Sequence, residues 1–321
     1  MDPVLSAGGD PAVVADHPPG GVGGASLGWW EKLSFSSMRQ LLRWHTQAWG
    51  VSGLYTSCRA FAAIEYAINY KRRRRVSRML DVVLDQRPTG AERRRLIREH
   101  FMRQRCDKTF YLIFDMLSRQ QVESRFSIVN RHLLDDGLAH GKGVYVLLSH
   151  HGAHHVTGMI MSLLGYRVGG IRDPNEGAMR RYVQTLWEKK HPDLPRARIL
   201  YAGNFVRQVY RLFQDNYALG SALDITRRRA PWQKTCPVRI FGETRAFLTG
   251  TLRIALRCGA VVLQGFVVGD DDFNYRLELT GPMIDPDSDV QSSERIAEVM
   301  QQYADNITAY ARRYPEQVSR A

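Results

Sequence analysis

Four of the chain's ten histidines fall within six residues, in the run His150-His-Gly-Ala-His-His155. A neutral imidazole can take a proton from an attacking hydroxyl or ligate a metal ion. His151 and His155 stand four apart, as two zinc ligands on a helix do, and His154 is adjacent. The glutamate of an H-E-x-x-H motif is missing, and Gly152 sets His151 ahead of a helix that starts beyond it. A metal-dependent hydrolase using the His150–His155 cluster is therefore the third reading, and no metal site is expected. Ser149 precedes the cluster without a G-x-S-x-G elbow, which argues against a serine hydrolase.

The residues on either side say what positions this cluster. Within Gly141-Lys-Gly-Val-Tyr-Val-Leu-Leu-Ser149 the apolar residues Val144 to Leu148 read as a buried strand, Ser149 to Gly152 as a tight exit, and Ala153 through Leu164 as a helix. A strand emptying into imidazoles before a helix is where an open α/β sheet places its chemistry. Further strands are expected at 126–129, 166–171, 198–201, 217–224, 260–268 and 275–279, alternating with helices at 178–190, 205–215, 251–258 and 292–313. The strand at 217–224 ends on a carboxylate, Asp224. Asp270-Asp-Asp272 reads as a hairpin turn. The fold class is thus α/β, a mixed, mainly parallel sheet flanked by helices.

Ahead of the sheet the chain changes character twice. Residues 1–28, rich in Gly, Pro, Ala and Asp, read as a disordered tail. Residues 29–125 read as a helical, basic, membrane-associating region, and 126–321 as the α/β domain. Trp29, Trp30, Trp44 and Trp49 sit among Lys32, Arg39 and Arg43, a combination suited to a lipid headgroup layer or to packing on the main domain. Between Lys71 and Arg105 there are 13 Lys or Arg against 4 Asp or Glu, which supplies most of the formal net charge of +13. Such a run suits an anionic membrane surface. No nucleic-acid-reading module accompanies it, so nucleic acid is not an expected partner. Four scattered cysteines fit a reducing compartment. Neither a signal peptide nor an apolar run of about 18 residues is visible.

Taken together, these motifs resemble the lysophospholipid acyltransferase superfamily. The nearest branch is that of the bacterial lipid A late (lauroyl and myristoyl) acyltransferases and the phosphatidylinositol mannoside acyltransferases. The strand Gly141–Ser149 with His150 matches the family's catalytic strand and histidine. Arg172-Asp-Pro-Asn-Glu176, Ala222-Leu-Asp224, Phe241-Gly-Glu, Thr249-Gly-Thr-Leu-Arg253 and Tyr314-Pro-Glu-Gln317 follow in the family's order, so the resemblance spans roughly 71–317. It implies a glycerolipid acyltransferase-like fold and transfer of a fatty acyl chain from an acyl thioester to a hydroxyl or amine of a membrane lipid or glycolipid. The donor would be acyl carrier protein or acyl-coenzyme A, with no cofactor. The enzyme would lie peripherally on the cytoplasmic face of the inner membrane. His150 would be the general base, and Arg172 would bind an anionic group.

One departure stands out. The family's H-x4-E or H-x4-D carboxylate is replaced by His155, which can accept a hydrogen bond from His150 but offers the imidazolium no negative charge. Asp224 or Asp173 could supply the carboxylate, His155 could orient more weakly, or the reaction could be lost, leaving a lipid- or acyl-carrier-binding protein. The candidate catalytic residues are accordingly His150, His155 and Asp224. The candidate substrate-binding residues are Arg172, Asn175, Arg227, His151 and His154, with one of the last two lining the cleft.

Overall fold

In the computed structural model the described residues are 29–172, 178–195, 197–201, 206–225, 233–284 and 293–319. The expected tail over 1–28 lies outside them, as do Asp173, Asn175 and Arg227.

The chain opens with α1 (Trp29–Ile68), two helical segments meeting at Gly50, whose left-handed φ of 72° breaks the helix axis. Asn69 caps α2 (Tyr70–Val83) by accepting from the Arg72 amide, and Pro88-Thr-Gly90 separates it from α3 (Gly90–Ile113), capped by Thr89. Then follow α4 (Arg119–Glu123), β1 (Phe126–Val129), α5 (Arg131–Ala139) and β2 (Val144–Leu148). Next come α6 (Thr157–Leu163), β3 (Val168–Arg172), α7 (Ala178–Lys190), β4 (Arg198–Tyr201), α8 (Val206–Gln214) and β5 (Ala218–Ala222). The remainder is β6 (Thr235–Ile240), β7 (Glu243–Leu248), α9 (Gly250–Arg257), β8 (Val261–Gly269), β9 (Tyr275–Thr280) and α10 (Ser293–Arg313).

Seven strands form one sheet in the order β1-β9-β8-β2-β5-β3-β4. The five from β8 to β4 run parallel, while β9 is antiparallel to β8 and carries β1 parallel to itself. The expectation of a mixed, mainly parallel sheet flanked by helices is met. β2 lies in the middle, and its side chains alternate between two cores as the period of two demands. Val144 and Val146 pack with the α1, α3 and α6 side, Tyr145 and Leu147 with the α8, α9 and α10 side. A strand covered on both faces must be apolar throughout, which is why 144–148 reads as an unbroken apolar run.

Sequence reasoning did not anticipate β6 and β7, an antiparallel hairpin joined at Phe241-Gly242 and packed against α10. Its buried residues Cys236, Val238, Ile240 and Phe247 join the second core. Arg239, Thr244 and Arg245 interrupt the run, and half-covered strands of this kind give a weak apolar signal. The turn at Asp270–Asp272 does link antiparallel β8 and β9, and it also anchors the N-terminal helices. Tyr55 and Ser52 of α1 donate to Asp271 and Asp272 at 2.7 and 2.8 Å, and Arg103 of α3 pairs with Asp271 at 3.0 Å. Phe35, Val51, Leu54 and Tyr55 share a core with the sheet, so α1 packs on it through one face.

The opposite face of α1 is apolar and uncovered. Trp30, Leu33, Leu41 and Trp44, and beyond the kink Phe61, Ile64 and Ile68, are each more than half exposed. Within the basic run, Arg72 and Arg105 share Glu65 while Arg93 holds Asp81. Lys71, Arg74, Arg75 and Arg78 are exposed at i, i+3, i+4 and i+7, a single face of α2. Among the described residues no helix is long and apolar enough to cross a membrane.

Candidate active site

The parallel register of β2 with β5 aligns Leu148 with Ala222. Continued two residues past both strands, that register brings His150 opposite Asp224 across 74 residues of sequence. The His150 Nδ1–H donates to Asp224 Oδ1 at 2.7 Å, and the His150 main-chain N–H donates to Asp224 Oδ2 at 2.9 Å. With Nδ1 donating, the unprotonated nitrogen of the neutral ring is Nε2. The imidazole is about a quarter exposed while the carboxylate is buried, so the ring has an open side and its partner does not.

Burial alone would raise the Asp224 pKa, but the His150 ring, His151 and the His150 amide outweigh it and hold the carboxyl below its ordinary value. The aspartate is thus an anion fixed beside an imidazole, the arrangement that sets a tautomer and stabilises an imidazolium. Tyr303, fully buried on α10, ties the two strand ends together. It donates to Leu148 O at 2.6 Å and accepts from the Leu223 N–H at 3.3 Å, one residue or two ahead of each partner. Tyr303 was not anticipated from sequence. Its only signal there is membership of the buried α10 stripe Ile296, Val299, Met300, Tyr303, Ile307.

The other three histidines separate. His151 is buried, with its Nδ1 4.0 Å from Asp224 Oδ2, and desolvation pulls its pKa down to about 4. It is a neutral ring buried beside the aspartate. His154 opens a short 3-10 turn, His154–Val156, ahead of α6. Its ring centroid lies 5.3 Å from that of His150 and 5.7 Å from that of His155. Desolvation, then His155 and His150, press its pKa well below the usual value. His155 packs edge-on against Tyr111 of α3 at 5.1 Å. The helix expected from Ala153 therefore begins as 3-10 and becomes α only at Thr157, so His151 and His155 do not share a helix face. Among the described residues no three His, Cys, Asp or Glu side chains are grouped to hold a metal ion, so the zinc reading has no donor set there.

Arg172 ends β3, at the same carboxyl edge of the sheet as His150 and Asp224, though its side chain is not among those described. His150 and Asp224 are the sequence-predicted residues brought into direct contact; His154 packs beside His150, and His155 beside His154.

A buried aspartate holding a quarter-exposed histidine at the carboxyl edge of an open, mainly parallel α/β sheet defines a class of site able to do acid–base chemistry. Comparison with protein families gives that class its particular member. The family model of the bacterial lipid A biosynthesis acyltransferases matches residues 41–317, and the chain belongs to that family. Membership assigns it to the acyltransferases of lipid biosynthesis. A comparison with curated proteins finds no match.

Proposed function

We propose that the chain moves a fatty acyl group from an acyl thioester, carried on acyl carrier protein or coenzyme A, to a hydroxyl or amine of a membrane lipid or glycolipid. The observation that carries this reading is the His150–Asp224 pair at 2.7 Å, which supplies the carboxylate that His155 does not. His150 Nε2 takes the proton as the acceptor oxygen or nitrogen attacks the thioester carbonyl carbon. The tetrahedral intermediate then expels the thiolate, which recovers that proton from the imidazolium as the C–S bond breaks. Asp224 stabilises the imidazolium in between. A developing oxyanion requires a donor, and Arg172 is the candidate its place at the end of β3 favours. An intact His150–Asp224 pair supports catalysis over the binding-only alternative, because an aspartate buried against an imidazole has little use in a passive lipid site.

The enzyme would work peripherally on the cytoplasmic face of the inner membrane. The exposed stripe of Trp30, Leu33, Leu41 and Trp44 would rest among headgroups, and Lys71, Arg74, Arg75 and Arg78 would face lipid phosphates. The test of the catalytic reading is His150→Ala assayed with acyl thioester and a lipid acceptor in vesicles. Transfer should fall to background; transfer at the wild-type rate would defeat the assignment of His150.

A further inference from the structure

β2 has two neighbours in the sheet, and the turn that leaves it is tied to both. On the β5 side Asp224 holds His150. On the β8 side the tie is made at Gly152, two residues later, which bridges to Val267 and donates its N–H to the main-chain oxygen of Gln317 at 3.0 Å. The approach is so close that a Cβ at Gly152, where φ is +61°, would lie 1.9 Å from Val267 O.

Gln317 belongs to the Pro315–Gln317 turn that follows α10. Its side-chain amide closes on Gly269 at the end of β8, with a longer contact of 3.4 Å from Nε2 to Glu316 Oε1. Oε1 accepts the Gly269 N–H at 2.9 Å and Nε2 donates to Gly269 O at 2.9 Å. From α3, His100 Nδ1 donates to Glu316 O at 3.0 Å, and Gln317 itself is 4% exposed. Reading a backbone N–H and C=O of the same residue takes one donor and one acceptor on a single planar group. An amide supplies both, whereas a carboxylate supplies acceptors alone.

We propose that Gln317 is a positioning residue for His150: its side chain fixes the C-terminal turn on β8, and its main-chain oxygen fixes the β8 side of the histidine turn through Gly152. The turn is thereby stretched between two strands, with Asp224 as one anchor and Gln317 as the other. Losing the second anchor lets the His150 ring shift against its acceptor, and a misplacement of about 1 Å costs on the order of 10²-fold in rate. The kinetic part of this inference rests on the acyl-transfer reading; the positional part does not.

The test compares Gln317→Leu and Gln317→Glu with the wild-type chain for kcat, KM, thermal midpoint and the downfield proton resonance of His150 Nδ1–H, assigned by its loss in His150→Ala. Gln317→Leu should lower kcat roughly 30- to 100-fold with KM for the thioester within about threefold, and should shift or broaden the resonance. Should Gln317→Leu fail to fold, Gln317→Glu, which keeps size and one acceptor, carries the same readouts. A lowered thermal midpoint with wild-type kcat and an unmoved resonance would overturn the proposal, leaving Gln317 a purely structural residue. A folded wild-type chain without acyl transfer would defeat the catalytic reading, and the clamp would then stand or fall on the resonance.

Discussion

Replacing Asp224 by Asn tests the pairing at the centre of the site. The carboxylate accepts two bonds from His150, from the ring Nδ1–H at 2.7 Å and the main-chain N–H at 2.9 Å. An amide can satisfy one of these and must face the other with its NH2. If the amide oxygen takes the ring proton, donor meets donor at the His150 main chain. If the amide turns over, its NH2 drives the ring proton to Nε2, and the base becomes unable to accept one. The negative charge beside the imidazolium disappears in either case. Opposite charges about 4 Å apart at an effective dielectric near 20 interact by about 4 kcal/mol. At 1.36 kcal/mol per tenfold, that is a loss of roughly 10³ in kcat. The same substitution in a serine-protease triad, about 10⁴, sets the upper end. The assay is single-turnover acyl transfer from a labelled thioester to a vesicle-borne acceptor, with the fold checked by thermal melting. KM should stay within about threefold, because the aspartate is buried behind the histidine. His155→Ala in the same assay should cost less than about tenfold. If Asp224→Asn keeps more than about a tenth of kcat while His155→Ala loses two orders of magnitude, His155 orients the base and the present assignment is wrong.

Gly152→Ala should be among the most damaging changes outside the catalytic pair, since a 1.9 Å contact and a left-handed φ both oppose any side chain. A cost of at least about 2 kcal/mol, read from the urea midpoint, is expected. Acid should destabilise the protein above the range where carboxylates titrate. Desolvation pulls His100 and His151 down to about 4, so between pH 6.5 and 4 the unfolded chain binds protons the native state refuses. Each of these two histidines therefore adds about 2 kcal/mol of stability from pH 5 to pH 7, partly offset by Asp107, which burial pushes up to about 7 and which works against them in the same window. A His100→Asn, His151→Asn double variant with an unchanged pH dependence of its unfolding midpoint would refute the burial of these rings. Asp224, whose pKa is lowered, acts with the same sign at lower pH: its share persists above the ordinary carboxylate pKa and is lost only as pH falls below it. Sedimentation with anionic vesicles should weaken at least tenfold when Lys71, Arg74, Arg75 and Arg78 become Glu, at roughly 1 kcal/mol per basic residue. Equal binding by that variant would place the lipid-facing surface elsewhere.

Much of the fold was legible in the residues because each element carries a local signature. The central strand shows as the apolar run Val144–Leu148 behind a glycine, and the β8–β9 turn as three aspartates. The site was half legible. Four histidines within six residues and a strand ending at Asp224 marked the candidates, since imidazoles and carboxylates are few and their types limit the chemistry. The β6–β7 hairpin was not legible, because strands covered on one face and broken by Arg and Thr carry a weak period.

What sequence could not decide is which carboxylate serves His150. Asp224 is 74 residues away, and a parallel register aligning Leu148 with Ala222 brings it within 2.7 Å. The same holds for Tyr303, which looks like an ordinary buried tyrosine, and for Gln317, whose motif gives no hint of its partner until α10 lies across the strand ends. Composition and spacing determine which residues can do acid–base chemistry and which segments become strands. The sheet order decides which of those residues meet, because hydrogen-bond register converts distance along the chain into contact at one edge.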